Sequence, residues 1–220
     1  MNEIGEARVK SRSASRQLFL RVRRCGSSIL NQMSAGLGPV QSQRCASMLI
    51  ASIFVVFPFC MLFAAISDTL SMTIANRVPM LLVVAFAVVA PLTGMDWSVY
   101  GLHFAAGGLV LAATFALFAM GCMGGGDAKL LAASALWMGL NAQLVEYLFF
   151  SAVLGGVLTL AILSYRNSAL SVFTSRNMFM RNFSEHATGV PYGIALGIGG
   201  LIVFPKSPLM VWALAQLAAQ

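Results

Sequence analysis

Residues 46–67 run for 22 positions without a charged side chain and stop at Asp68. A helix needs about 20 apolar residues to cross the hydrocarbon core of a bilayer, so this one segment sets the class of the chain. The pattern recurs. Residues 78–94 lie between Arg77 and Asp96, 99–120 lead into a glycine cluster, 147–165 and 190–204 follow, and 129–140 is a shorter run of the same kind. The tail 208–219 is apolar but too short to span alone. These six segments predict an all-α, polytopic membrane bundle of about six transmembrane helices. Composition agrees: 59% of the 220 residues are hydrophobic and only 10% are charged, whereas a soluble domain carries about 25% charged residues. A soluble enzyme, a disulfide scaffold and a disordered chain are excluded.

The net charge of +7 invites a nucleic-acid reading, but its placement argues against one. Residues 1–45 hold eight of the 14 basic side chains, among them Arg21, Arg23 and Arg24, together with Glu3 and Glu6. This part lacks apolar periodicity and reads as a basic, disordered extension. Residues 46–220 form the membrane-embedded domain. Inside it, Arg77, Lys129, Arg166, Arg176 and Arg181 fall in the segments on one side, while the loops around Asp96 and Asn141 carry no Lys or Arg. The excess of positive charge puts the first set in the cytoplasm. The extension would then lie outside with its eight positive charges, a contradiction that a later functional start, at Met33 or Met48, removes.

The four cysteines (Cys25, Cys45, Cys60, Cys122) form no C-x-x-C pair, so zinc and redox modules are not expected, and neither is any metal or other cofactor. Cys60 and Cys122 read as packing residues. Gly189, Gly193 and Gly197 recur every four residues and would share one helix face open to a neighbouring helix; Gly107-Gly108 and Gly155-Gly156 hint at the same. His103 reads as a helix-interface residue. Trp97, Tyr100, Trp137, Tyr147 and Trp212 read as an outer aromatic belt, and Lys129 as an interfacial anchor.

Charge near membrane depth is expensive and usually functional, so the acidic residues carry the most information. Asp68 ends the first span and Asp127 the third, both on the predicted cytoplasmic side, while Asp96 and Glu146 sit on the other and Glu185 in a polar loop. Two carboxylates held close together cannot both ionise easily, so one keeps a proton near neutral pH. The ionised member can deprotonate a water while the other donates to a carbonyl. Such a pair titrates as a unit, and neither residue is assigned acid or base. Peptide-bond hydrolysis needs nothing further. Gly124, Gly125 and Gly126 precede Asp127 and would give it a loop able to take φ > 0 and admit a substrate strand. Alone, Gly-Gly-Gly-Asp is equally a helix-terminating turn.

Three blocks change that balance. Phe57-Pro58-Phe59 followed by Ser67-Asp68 and Ile74-Ala75-Asn76-Arg77, then Gly124-Gly125-Gly126-Asp127-Ala128-Lys129-Leu130, then Val190-Pro191-Tyr192-Gly193 resemble, in order, the blocks of bacterial type IV prepilin peptidases. The resemblance covers residues 47–204 and is closest to the short branch serving Flp-type (Tad) pili, which lacks the methyltransferase domain. Ala75 departs from it, standing where that family has Pro. The resemblance implies a prepilin leader peptidase of the bacterial inner membrane with its active site facing the cytoplasm. It implies Asp68 and Asp127 as the catalytic pair of an aspartic endopeptidase, with Gly124, Gly125 and Gly126 shaping the substrate-binding loop. Implied partners are Flp-like pilins, pseudopilins and membrane lipids, with no nucleic acid; methylation of the product is not implied. Two other readings stand beside it. A presenilin-like protease would carry Tyr-Asp where this chain has Ser67-Asp68. A non-catalytic transporter or scaffold would more often show inverted repeats.

Overall fold

The computed structural model of the protein describes residues 39–166 and 190–218. These form seven α-helices and no strand: α1 (Pro39–Ser71), α2 (Arg77–Leu92), α3 (Trp97–Ala119), α4 (Gly125–Met138), α5 (Ala142–Arg166), α6 (Gly193–Val203) and α7 (Pro208–Leu217), with a 3₁₀ turn at Phe204–Lys206 between the last two. The all-helical expectation holds. The basic extension before Pro39 and most of the polar loop after α5 lie outside the described residues. Within them α1 starts seven positions before the apolar run does, so the helix outlasts the compositional boundary.

Three segments are long and apolar enough to cross a bilayer: Ala46–Ser71 of α1, α3, and Ala142–Tyr165 of α5. The α6 and α7 segments make a fourth only as a pair, bent by 49°. Among the described residues three of the expected six spans, or four with the bent pair, meet this length and composition. Helix α2, with 16 residues, rises about 24 Å and α4, with 14, about 21 Å, against a hydrocarbon core of roughly 30 Å.

The chain turns where its sequence provides for turning. Gly94 and Gly139 take φ of 77° and 73° just after α2 and α4, a conformation that suits glycine and ends a helix. Pro208 occupies the first turn of α7, and the Ser207 hydroxyl accepts from the Met210 N–H.

Helix α4 is the hub. It packs against α2, α3, α5, α6 and α7, and every residue from Leu130 to Met138 is buried. Around it lies the aromatic core: Phe57 of α1 stacks on Phe204 at 4.3 Å and lies 5.4 Å from Trp137, which also meets Phe86 of α2. Two members of the expected aromatic belt are thus core residues. Trp137 donates its indole N–H to the Leu82 carbonyl at 3.1 Å, and the Tyr147 hydroxyl pairs with Ser134 Oγ at 2.7 Å. Burial of a polar tip requires such partners, and both are found inside the bundle rather than at headgroups. Trp97, by contrast, is exposed as a belt residue should be.

Small residues set the helix spacing. A Cβ on Gly107 would fall 1.9 Å from Leu136 Cδ1, and one on Gly155 would fall 2.0 Å from Tyr192 Cε2, whereas Gly108 and Gly156 face open space. One glycine of each pair is needed and its neighbour, turned about 100° around the helix, is not. On α6, Gly193 and Gly197 meet Asp68, Met61 and Ala65 of α1, so the expected close approach holds for these two, and Gly189 lies outside the described residues. His103 of α3 is buried, stacks on Phe86 and bonds the Leu136 carbonyl through Nδ1, which makes it the interface residue expected.

Candidate active site

Asp68 stands in the last turn of α1, one turn before Met72 reverses the chain with φ of 50°. It is buried, at 5% exposure. A carboxylate there needs donors, and the chain brings one from far away: the Gly193 N–H at the start of α6 donates to Asp68 Oδ2 at 2.7 Å. A free N–H and the positive end of a helix dipole meet the carboxylate together. Only glycine fits at 193, because a Cβ would lie 2.8 Å from Oδ2 and 2.9 Å from Asp68 Cβ.

Asp127 lies in the first turn of α4 and outside the three long spans. Its Oδ1 is buried with no hydrogen-bond partner. Burial, and after it the neighbouring Asp68 carboxylate, push its carboxyl up to about 7. The Asp68 charge thus reaches Asp127, although burial is the larger cause.

The glycines before Asp127 do less as a loop than the sequence suggested. Gly124 caps α4 with an extended φ of −69°, and Gly125 and Gly126 are already helical. The positive φ falls earlier, at Gly121 with 74°. What the cluster provides is proximity: a Cβ on Gly124 would lie 2.9 Å from Asp127 Oδ2, one on Gly125 3.2 Å from the Phe118 ring, and one on Gly126 3.2 Å from Ile74 Cβ. Of the three, only Gly124 lines the cavity.

Both carboxylates open into one cavity of about 880 Å³, within the range of ligand sites. Its lining includes the polar Asp68, Asp127, Tyr192 and Cys122 and the apolar Leu131, Leu148 and Leu196. Cys122, expected as a packing residue, is exposed at the α3–α4 turn and lines this space. It fell in an apolar run because the turn itself is apolar. Sequence reasoning also passed over Ser151 and Thr159, which face the cavity from α5; the one available signal was hydroxyls inside an apolar span.

The other acids among the described residues stand apart, and Glu185 lies outside those residues. Asp96 precedes α3, and Glu146 forms an ion pair with Lys206 between α5 and the 3₁₀ turn. Helix α2 runs from the Asp68 end to Asp96, and α6 with its 3₁₀ turn runs from Gly193 beside Asp68 to Lys206, the partner of Glu146. Asp96 and Glu146 therefore lie at the end of the bundle away from Asp68 and Asp127. Lys206, which the loop count left aside, lies at that end and is matched by Glu146. Lys129 donates to Asn76 Oδ1 at 2.9 Å, tying the start of α4 to the turn after α1. Among the described residues no three His, Cys, Asp or Glu side chains converge as metal ligands would.

Comparison with known proteins adds one positive finding. No curated protein and no solved structure matches the chain. Residues 55–160, which hold both carboxylates, match the model of the type IV leader peptidase family. With several apolar helices built to lie in a bilayer and two acids sharing a cavity at one end of them, the chain reads as a multi-pass membrane protein whose residues 55–160 are those of the type IV leader peptidase family.

Proposed function

We propose that the protein is an aspartic endopeptidase that removes the short basic leader of type IV prepilins, Flp-like pilins in the first place, with Asp68 and Asp127 as its catalytic pair. The observation that carries this reading is the opening of both carboxylates, from two different helices, into one cavity. In the working state the pair holds one proton. The ionised carboxylate takes a proton from a water whose oxygen attacks the scissile carbonyl carbon, while the protonated one donates to the carbonyl oxygen. Collapse of the resulting diol returns a proton to the amide nitrogen, and the carbon–nitrogen bond breaks. No redox step or further reactant enters this balance.

Gly124, beside Asp127 and on the cavity wall, would leave room for the substrate backbone; Gly125 and Gly126 would act by seating the first turn of α4. Arg77 and Lys129 beside the turns that carry the two acids, with three further arginines in the sequence from 166 to 181, support a cytoplasmic active site in a bacterial inner membrane. The reading is tested with the purified protein in lipid vesicles and a synthetic prepilin carrying its leader. Mass spectrometry should show a single cut between leader and apolar segment, and an intact substrate after prolonged incubation would refute it.

A further inference from the structure

The turn 191–193 touches more of the site than its one hydrogen bond to Asp68. Gly193 donates to Asp68 on α1, while the residue before it, Tyr192, is tied to α5. The Tyr192 hydroxyl donates to the Ser151 carbonyl at 3.2 Å, and its ring lies so close to Gly155, one turn further along α5, that a Cβ there would fall 2.0 Å from Cε2 and 2.6 Å from the hydroxyl oxygen. The same side chain lines the cavity with Asp127. Two neighbouring residues thus join three helices: α1 through Gly193, α5 through Tyr192, and α6, which begins between them. Helix α5 packs along α6 and only lightly on α4, so the wall of the cavity is fixed to its acids through α6, and Tyr192, at the start of α6, is the contact next to Gly193 in sequence.

We propose that Tyr192 is a positioning residue: anchored to Gly155 and Ser151 of α5, it sets the place of the first turn of α6 so that the Gly193 N–H meets Asp68. The hydroxyl and the glycine form one socket. The ring needs the missing Cβ of Gly155, and the hydroxyl fixes how far the ring enters. A hydrogen bond within a positioned network acts through geometry, and a displacement of 1 Å at a reacting group can lower a rate about 100-fold. This inference rests on the endopeptidase reading for its kinetic consequences, though not for its geometry.

The test uses the full chain in vesicles or detergent with a prepilin substrate. Tyr192→Phe keeps the ring and removes the donor; Gly155→Ala fills the socket; Gly156→Ala, facing open space, is the control. Tyr192→Phe should lower kcat about tenfold with KM within about twofold, and Gly155→Ala at least as much. The double variant should be no worse than Gly155→Ala alone, because both changes act on one contact. The second readout is the Gly193 amide proton in selectively labelled protein, whose resonance should move upfield in Tyr192→Phe as its bond to Asp68 lengthens, with the melting temperature unchanged. Wild-type kcat and an unmoved Gly193 resonance in Tyr192→Phe would overturn the proposal, as would a loss confined to KM or fully additive effects. Absence of cleavage by the wild type would instead remove the endopeptidase reading, and the Gly193 resonance would still decide the positioning role. Should Gly155→Ala fail to fold, Tyr192→Phe alone decides.

Discussion

The Gly193 amide donates to the Asp68 carboxylate at 2.7 Å across 125 positions of sequence. A backbone group of the sixth helix thereby holds the side chain that ends the first, and the site exists only once the two ends of the membrane domain have met.

Replacement of either acid by its amide should abolish processing. Asp68→Asn and Asp127→Asn keep shape and remove the shared proton, so cleavage should fall by more than about 1,000-fold while the protein still inserts. Asp96→Asn, at the other end of the bundle, should stay within about twofold of wild type. Quantitative immunoblotting of mature against precursor pilin measures all three. A loss in Asp96→Asn comparable to the dyad variants would contradict the arrangement of the helices.

Gly193→Ala isolates the bond to Asp68. The added Cβ would sit 2.8 Å from Oδ2, so the carboxylate must move or α6 must withdraw. Processing should drop by about 10- to 100-fold, whereas Gly101→Ala on the open face of α3 should be silent. Steady-state cleavage rates of the two variants side by side give the answer.

The carboxyl of Asp127 ties stability to pH. Its folded value of about 7 stands above the ordinary 3.8, so the folded protein binds this proton more tightly than the unfolded chain does. The contribution is fully present below about pH 4 and is lost as pH rises through 7. The melting temperature in detergent should therefore fall between pH 5 and pH 8, and Asp127→Asn should flatten that slope. An unchanged slope in the variant would show that Asp127 is not the group responsible.

Packing of α3 on α4 gives a fourth test. Gly107→Ala would drive a methyl group into Leu136 and should destabilise the protein by about 1–3 kcal/mol. Gly108→Ala, facing open space, should be neutral or slightly stabilising. Thermal unfolding in one detergent distinguishes them.

What was legible in the sequence followed from contrast. Asp68 and Asp127 stand out because a carboxylate in an apolar chain has few reasons to be there, and the long uncharged runs of α1, α3 and α5 announce themselves by length. Helix α4 did not read as an interior helix, since one buried on all sides has no polar face to give a period. Trp137 and Tyr147 were misread because an aromatic residue near a helix end has the same letter whether its polar tip finds a lipid headgroup or the Leu82 carbonyl. The Gly193 donor was invisible for a simpler reason: it is a backbone N–H, which every residue but proline carries. The glycine at 193 marked a close approach, but nothing in the chain said that a carboxylate would fill it.

The two acids are carried by helices of different standing in the bilayer. Asp68 rides on α1, which exposes apolar side chains from Met48 to Leu70, while Asp127 begins α4, which protein encloses and which stops at Gly139, beside the buried His103 of α3. A thicker or thinner membrane changes the tilt of a spanning helix and has little hold on an enclosed one. The alignment of the pair is thereby exposed to the thickness of the surrounding lipid, and the bilayer acts as a mechanical component of the enzyme as well as its solvent.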